Sequence, residues 1–242
     1  MRPRFVGRTG LADAVTVGNA ILGFVAILIA FEDPSLAARL LLLAAILDGL
    51  DGVVARARGG TDVGPYLDSL ADVVSFAITP AVLVTVLVTD AWGVTAFDPA
   101  DPRAWLAVGI PAAFVGAAVT RLGLYTAYDT AEEYTEGVQT TLAATIIGAA
   151  VLAGATEPAV LLGATALFCY LMLSPLRYPD LLTRDALLMG VVHGLAVLTP
   201  AAFGRAFPWA LLFLGTAYLL LSPWLYWRDS LGVSAGTDGP GA

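Results

Sequence analysis

Long apolar stretches alternate with short polar connectors along the whole chain. Apolar windows of sixteen or more residues lie at about 13–31, 37–54, 73–89, 105–120, 140–155, 159–175, 186–201 and 208–226. Each window is close to the length that a helix needs to cross the hydrocarbon core of a bilayer. Because backbone polar groups in lipid must pair within the chain, helices are the expected structure. The pattern predicts an all-α, polytopic transmembrane helix bundle with about eight spans.

Composition agrees with a membrane protein. The 242 residues are 58% hydrophobic and 13% charged, whereas soluble domains carry about 25% charged residues. The mean hydropathy is +0.82 and the pI is near 4.4. A formal net charge of −8, without a single lysine, argues against a nucleic acid partner and is typical of proteins from a salty cytoplasm.

The basic residues, all arginines, predict the orientation of the bundle. Most lie at one set of alternate helix ends, and this set comprises Arg2, Arg4, Arg8, Arg56, Arg58, Arg121, Arg177, Arg184 and Arg228. The opposite ends carry Arg39, Arg103 and Arg205. Since positively charged loops stay inside, both termini are expected in the cytoplasm. A signal peptide would be an alternative for the N-terminus, but no clear cleavage site follows the first apolar run.

Four aspartates interrupt the second and third apolar segments. Asp48, Asp51, Asp68 and Asp72 stand in or at the ends of these segments. An aspartate at bilayer depth costs on the order of 2.5–3.5 kcal/mol on insertion scales. Because Arg56 and Arg58 are the nearest cations in sequence, bound metal is the expected counter-charge.

The spacing of these aspartates predicts one shared site. Asp48 and Asp51 are three residues apart, and Asp68 and Asp72 are four apart, so each pair shares one helical face. The turn at 59–65 is rich in Gly and ends in Pro, which predicts an antiparallel hairpin that brings the two faces together. Four carboxylates suit hard ions such as Mg²⁺ or Mn²⁺ and are enough for two of them. Paired ions of this kind commonly bind diphosphates.

Small residues flank the carboxylates. Gly52 and Ala55 follow Asp48 and Asp51 by one turn, which leaves a groove for a flat nucleotide, and Arg56 supplies a forked donor for phosphate oxygens. The alternative interpretation is that these small residues only pack against another helix.

The order of these residues resembles the signature of the CDP-alcohol phosphatidyltransferases. It reads Asp48-x2-Asp51-Gly52-x2-Ala55-Arg56 and then Gly64-x3-Asp68-x3-Asp72. The family usually has eight residues between the Arg and the second Gly, and this chain has seven. Segments 13–19, 68–76 and 174–179 are similar to the phosphatidylserine and archaetidylserine synthases within that family.

The resemblance implies an architecture and a reaction. A six-helix catalytic core would occupy residues 1–184, and 185–228 would add a C-terminal helical pair. The Gly-rich residues 229–242 predict a disordered tail. The family implies a cytoplasmic active site in the cell membrane, frequent homodimers, and transfer of a lipid phosphoryl group from a CDP-activated lipid to an alcohol with release of CMP.

Site residues are carried over position by position. The resemblance implies that Asp48, Asp51, Asp68 and Asp72 bind two Mg²⁺ or Mn²⁺ ions, and that Asp72 is also the general base. Residues expected to bind the CDP-lipid are Gly52, Ala55, Arg56, Gly64, Thr16 and Asn19. Arg121 and Arg177 are candidates for the acceptor site, with interfacial anchoring as the alternative for both. For Thr16 and Asn19 the alternative is hydrogen bonding between helices.

Several functions remain open at this stage. L-serine is favoured as acceptor over glycerol 3-phosphate or inositol phosphate, because a phosphorylated acceptor calls for more basic residues than the chain offers. The lipid is either archaeol or diacylglycerol based, and the acidic composition favours archaeol. An intramembrane prenyltransferase is disfavoured because no second DxxD motif occurs in the apolar segments after residue 72. An ion-coupled transporter is the alternative from a different class, but repeated halves are not evident.

Overall fold

The computed structural model describes residues 9–129, 134–179 and 183–233, and nearly all of them are helical. The helices are α1 (Leu11–Ile29), α2 (Pro34–Arg58), α3 (Gly64–Asp72), α4 (Thr79–Trp92), α5 (Pro102–Leu124), α6 (Thr140–Ala153), α7 (Pro158–Met172), α8 (Thr183–Leu198) and α9 (Ala206–Val233). A π-helical turn, Val73–Ile78, joins α3 and α4 into one rod, and a second, Tyr125–Asp129, extends α5. Within the described ranges, most helix ends lie within a few residues of the ends of the predicted spans. The structure therefore confirms the all-α polytopic bundle.

Length and hydropathy mark this chain as an integral membrane protein. Four described helical stretches are long and apolar enough to cross a bilayer, namely Leu11–Ile29, Gly64–Trp92, Pro102–Tyr128 and Ala202–Ser222. Shorter apolar helices are Thr140–Ala153, Pro158–Met172 and Leu188–Leu198. Helix α2 has 25 residues, which is long enough to cross a bilayer. It is not among the four apolar stretches, and it carries Asp48, Asp51, Arg56 and Arg58 in its second half.

The connectors follow ordinary capping chemistry. Asp33 accepts a hydrogen bond from the Leu36 N–H at the start of α2, and Asp101 accepts one from the Arg103 N–H at the start of α5. Proline occupies the first turn of both helices, where no N–H partner is needed. At the opposite ends, Gly93 and Gly154 take the left-handed conformation that terminates α4 and α6.

Helix α1 packs tightly against the π-helical turn that follows α3. A Cβ atom on Gly23 would lie 2.8 Å from the Ser75 Cα, so only glycine permits this approach. The Ser75 hydroxyl donates to the Asn19 carbonyl at 2.9 Å, and the Thr79 hydroxyl donates to the Gly23 carbonyl at 3.1 Å. Since α1 also packs along α2, it holds the second and third predicted segments in place from one side.

Two short strands, which the sequence pattern did not predict, pair at the end of the bundle where α5 and α7 finish. Tyr134–Glu136 runs antiparallel to Arg177–Pro179, with Glu136 opposite Arg177. The Arg177 Nε lies 3.2 Å from the Glu136 Oε1. Because each strand has only three residues, the two-residue alternation that marks a strand could not be recognised in the sequence.

At the C-terminus, α9 continues to Val233. Residues 229–233 are therefore helical rather than part of the disordered tail predicted from residue 229, because the helix extends beyond its apolar stretch. Residues 234–242, on which the rest of that prediction falls, lie outside the described residues.

Candidate active site

Three of the four predicted aspartates converge. Asp48 comes from α2, while Asp68 and Asp72 come from one face of α3, and one carboxylate oxygen from each lies within 4.8 Å of the other two. Asp72 is buried, and its Oδ1 atom has no hydrogen-bond partner among the described residues. The Asp48 and Asp72 carboxyl groups are within hydrogen-bond reach of each other. We call these three residues the aspartate triad.

The donor set of the triad fits a divalent metal ion. All its ligand atoms are carboxylate oxygens, which suit hard cations. Three carboxylates this close inside an apolar bundle repel one another unless a cation is present. The Arg121 side chain is close enough for its charge to act on Asp72, but a single guanidinium balances only one of the three charges. The identity of the ion does not follow from these distances.

Asp51 lies beside the triad rather than in it. Its Oδ2 accepts a hydrogen bond from the Thr16 hydroxyl at 2.6 Å, and both residues are buried. Its charge still interacts with those of Asp48 and Asp68. The Thr16 hydroxyl therefore orients one Asp51 oxygen, and Asp51 borders the cavity described next.

A cavity of about 480 Å³ opens beside Asp51 and Asp68, and we call it the aspartate cavity. It lies between the first turns of α1, the last two turns of α2, and α3. Five of the residues predicted to bind the CDP-lipid line it, and they are Thr16, Gly52, Ala55, Arg56 and Gly64. A Cβ on Gly52 would lie 3.5 Å from the Arg56 Nη1, so the glycine keeps the space beside the guanidinium open.

Asp13, which sequence reasoning missed as a site residue, fastens the turn between α2 and α3 to α1. Its Oδ2 accepts hydrogen bonds from the Gly10 N–H at 2.7 Å and from the Thr61 hydroxyl at 2.9 Å. The Oδ1 lies 3.4 Å from where a Cβ on Gly64 would be. These contacts hold the turn between α2 and α3, which is one residue shorter than is usual in the family. The only sign of this role in the sequence was that Asp13 is an acidic residue in the first turn of a helix.

Asn19 does not line the aspartate cavity. Its side chain is fully buried where α1 meets the π-helical turn, and neither side-chain amide atom has a hydrogen-bond partner among the described residues. Its predicted contact with the CDP-lipid remains a prediction.

The two candidate acceptor arginines occupy different settings. Arg121 is buried near the end of α5, where its Nη1 donates to the Thr140 hydroxyl at 3.4 Å and its guanidinium lies 5.8 Å from the Tyr125 ring centroid. Arg177 is half exposed on the second strand and pairs with Glu136.

A further cavity of about 310 Å³ lies next to Arg121, and we call it the Arg121 cavity. Glu136 and Ser174 also line it. Arg121 links this cavity to the triad, because its charge also acts on Asp72. Arg177 is not among its described lining residues, but it pairs with Glu136, which is.

Comparison with known proteins places this chain in a family. Residues 9–176 match the profile of the CDP-alcohol phosphatidyltransferases, and since this is well over half of the chain, the chain belongs to that family. The match covers α1 to α7 and ends before α8.

Individual relatives carry two related names. The chain is 39% identical over 133 residues to the CDP-diacylglycerol–serine O-phosphatidyltransferase of Mycobacterium tuberculosis, which is 52% of this chain and 42% of that protein. It is 42% identical over 78 residues to the archaetidylserine synthase of Methanothermobacter thermautotrophicus, covering 31% and 34%. Over 76 residues it is 45% identical to the CDP-diacylglycerol–serine O-phosphatidyltransferase of Methanocaldococcus jannaschii, covering 31% and 34%. The chain thus spans less than half the length of these relatives.

Proposed function

We propose that this chain transfers a lipid phosphoryl group from a CDP-activated lipid to the hydroxyl of L-serine and releases CMP. The observation that carries the proposal is the aspartate triad beside a cavity with an arginine and a row of small residues. The names of the relatives support serine as the acceptor.

Asp72 is the proposed general base. The serine Oγ attacks the lipid-bearing phosphorus, an O–P bond forms, and the bond from that phosphorus to the CMP oxygen breaks with its electron pair leaving on CMP. The serine hydroxyl proton moves to the Asp72 carboxylate. The unpartnered and buried Oδ1 of Asp72 supports this role, because no described hydrogen bond competes for its lone pairs.

Asp48, Asp51, Asp68 and Asp72 are the proposed ligands of two Mg²⁺ or Mn²⁺ ions. When bound, such ions neutralise charge on the diphosphate and on the departing phosphate oxygen. The chain's own contribution is to hold four carboxylates at fixed positions, with Thr16 orienting Asp51.

The aspartate cavity is the proposed site of the cytidine and diphosphate. Arg56 donates to phosphate oxygens with its planar fork, while Gly52, Ala55 and Gly64 allow the nucleotide to approach the backbone. Thr16 lines the cavity directly, and the contact of Asn19 with the CDP-lipid is part of the proposal.

The Arg121 cavity is the proposed serine site. L-serine is a zwitterion, and this cavity offers Arg121 for the carboxylate and Glu136 for the ammonium group. A phosphorylated acceptor would place a second negative charge near Glu136, which favours serine over glycerol 3-phosphate or inositol phosphate. Arg177 contributes by holding Glu136 in place.

The proposal places the chain in the cell membrane, with the active site and both termini in the cytoplasm, as the distribution of arginines favours. The homodimer that the family resemblance implied is part of this proposal. The lipid is archaeol or diacylglycerol based.

The test is CMP release by the purified chain. CDP-archaeol and CDP-diacylglycerol are each supplied at high salt with Mg²⁺ or Mn²⁺, and L-serine, glycerol 3-phosphate or inositol phosphate is added separately. CMP release that requires both serine and metal is the expected result, and the preferred lipid is the one with the higher kcat/KM. Release only with a phosphorylated acceptor overturns serine but keeps the family chemistry, and no release with any acceptor contradicts the proposal.

A further inference from the structure

One side of the Arg121 cavity is formed by a strand pair that is too short to be stable by itself. Each strand has three residues, and even a complete two-stranded hairpin is marginally stable in water. Glu136 of the first strand lines the cavity, and Arg177 of the second strand lies opposite it. The position of Glu136 in the cavity therefore depends on what the rest of the bundle does to hold the two strands.

The first strand is anchored where it ends, against the end of α7. The Gly137 N–H donates to the Leu176 carbonyl at 2.7 Å, and the Val138 N–H donates to the Leu171 carbonyl at 3.1 Å. Gly137 has a φ of 74°, and a Cβ there would overlap the Met172 carbonyl oxygen. Only glycine fits this position, so the backbone that follows the first strand is fixed.

The second strand is held through Tyr178. Successive side chains of a strand point to opposite faces, so Tyr178 points away from the face that Arg177 and Glu136 share. The Tyr178 side chain is 2% exposed and belongs to the apolar core of the bundle. Its ring centroid lies 6.5 Å from that of Tyr218 in α9, with 39° between the ring planes. Aromatic pairs at this separation attract each other beyond the effect of the area they bury.

Helix α9 is itself fixed where it meets Tyr178. Gly215 lies one turn before Tyr218, and a Cβ on Gly215 would lie 3.0 Å from the Ile146 Cγ1, so α9 packs closely on α6. Leu219, the neighbour of Tyr218, is buried in the same core cluster as Tyr178. The Tyr218 ring therefore offers the second strand a rigid support.

We propose that Tyr178 and Tyr218 are positioning residues for the acceptor, because their ring contact supports the strand pair that places Glu136 in the Arg121 cavity. This inference rests on the proposed function, since it concerns the serine site. Both tyrosines lie beyond residue 176, where the family match ends. The part of the chain outside the match thus sets the affinity for the acceptor, while the aspartates inside it carry out the transfer.

The test separates the ring contact from general damage to the fold. Tyr218→Leu removes the ring and keeps an apolar side chain, whereas Tyr218→Phe keeps the ring. Phe213→Leu is the matched control, because Phe213 lies on the same helix with its side chain 72% exposed. The kcat and the KM values for L-serine and for the CDP-lipid are measured from CMP release by the whole chain with Mg²⁺, and Tm is measured in the same detergent.

We expect Tyr218→Leu to raise the KM for serine about fivefold, which is the size of effect that one aromatic pair produces. The kcat and the KM for the CDP-lipid stay within about twofold of wild type. Tyr218→Phe and Phe213→Leu keep all three constants near their wild-type values. A purely structural role would instead lower Tm and the active fraction, and hence kcat, without a change in the KM for serine.

A second substitution shows whether the two rings act as a pair. Tyr218 also borders an apolar cavity between α2, α6 and α8, and Tyr178 is not among the described residues that line that cavity. Tyr178→Leu should raise the KM for serine to a similar extent, and the double variant should be no worse than either single variant. The inference is overturned if Tyr218→Leu leaves the KM for serine unchanged, or if the effects of the two substitutions multiply.

Failure of the proposed function is distinguishable in the same experiment. If the unsubstituted chain releases CMP only with a phosphorylated acceptor, the serine assignment is wrong, and the same variants decide the inference through the KM for that acceptor. If it releases CMP with serine and no variant changes the KM for serine, the proposed function stands and the inference is wrong. If it releases no CMP with any acceptor, both are wrong.

Discussion

Asp72 differs from Asp51 in its surroundings, although the sequence presents the two as equivalent carboxylates. Asp51 accepts a hydrogen bond from Thr16, whereas Asp72 is buried with one oxygen lacking a partner among the described residues. We expect Asp72→Asn to reduce CMP release by about 10²–10⁴-fold, because the amide cannot accept the serine proton. At saturating metal, binding of the CDP-lipid stays within about twofold of wild type, because Asn keeps the shape of the side chain and the other three aspartates still hold the ions in the proposed site. Initial rates of CMP release and the Kd for CDP-lipid measure the two effects.

Asp90→Asn is the matched control for this substitution. Asp90 is exposed near the end of α4, on the same helical rod as Asp72 but away from the triad. CMP release by this variant should equal that of wild type. A normal rate in Asp72→Asn would show that another group accepts the proton.

Single residues were predictable where their chemistry conflicted with their surroundings. The four aspartates stood out because a carboxylate in an apolar segment needs a partner. Asp13 did not stand out, since its partner Thr61 is 48 residues away and an acidic residue at a helix start is ordinary. The pairing of Thr16 with Asp51, across 35 residues, required the packing of α1 on α2.

At the scale of elements, the contact of α1 with the π-helical turn offers a stability test. A Cβ on Gly23 would lie 2.8 Å from the Ser75 Cα, which is backbone and cannot move cheaply. We expect Gly23→Ala to lower the free energy of unfolding by about 1–3 kcal/mol, which corresponds to several degrees in Tm. Gly18→Ala is the control, because a Cβ there meets nothing within 4 Å. Equal thermal unfolding of the two variants in detergent would contradict the close packing.

The spans were predictable and the irregular elements between them were not. Hydropathy located each span because apolar length reports membrane crossing directly. The π-helical turn before Pro80 adds one residue to a helical turn, and the Thr79 N–H donates to the Val74 carbonyl. Such a local change leaves the apolar pattern intact, so hydropathy could not reveal it. π-Helical turns frequently lie at functional sites. Here the turn directly follows Asp72 and presses Ser75 against α1.

In the whole molecule, most of the described arginines lie at the same end of the bundle as the candidate active site. The triad, the aspartate cavity and the strand pair share this end with Arg56, Arg58, Arg121 and Arg177. At the opposite end, the Arg39 side chain donates to the Val197 carbonyl, which makes Arg39 a helix-to-helix contact as well as a charge. Water-soluble serine and the released CMP both require access to cytosol in the proposed reaction. The distribution of arginines and the proposed reaction therefore both favour an orientation in which the end that carries the triad faces the cytoplasm.

This orientation is testable with single cysteines in a Cys169→Ser background. Asp62→Cys labels the turn at the end that carries the triad, and Ala100→Cys labels the connector between α4 and α5, and both positions are exposed. A membrane-impermeant maleimide added to intact cells should modify the Ala100→Cys chain and leave the Asp62→Cys chain unmodified until the cells are lysed. The opposite labelling pattern would show that the bundle has the reverse orientation. The triad would then lie on the side of the membrane where cytosolic serine is absent, which contradicts the proposed reaction.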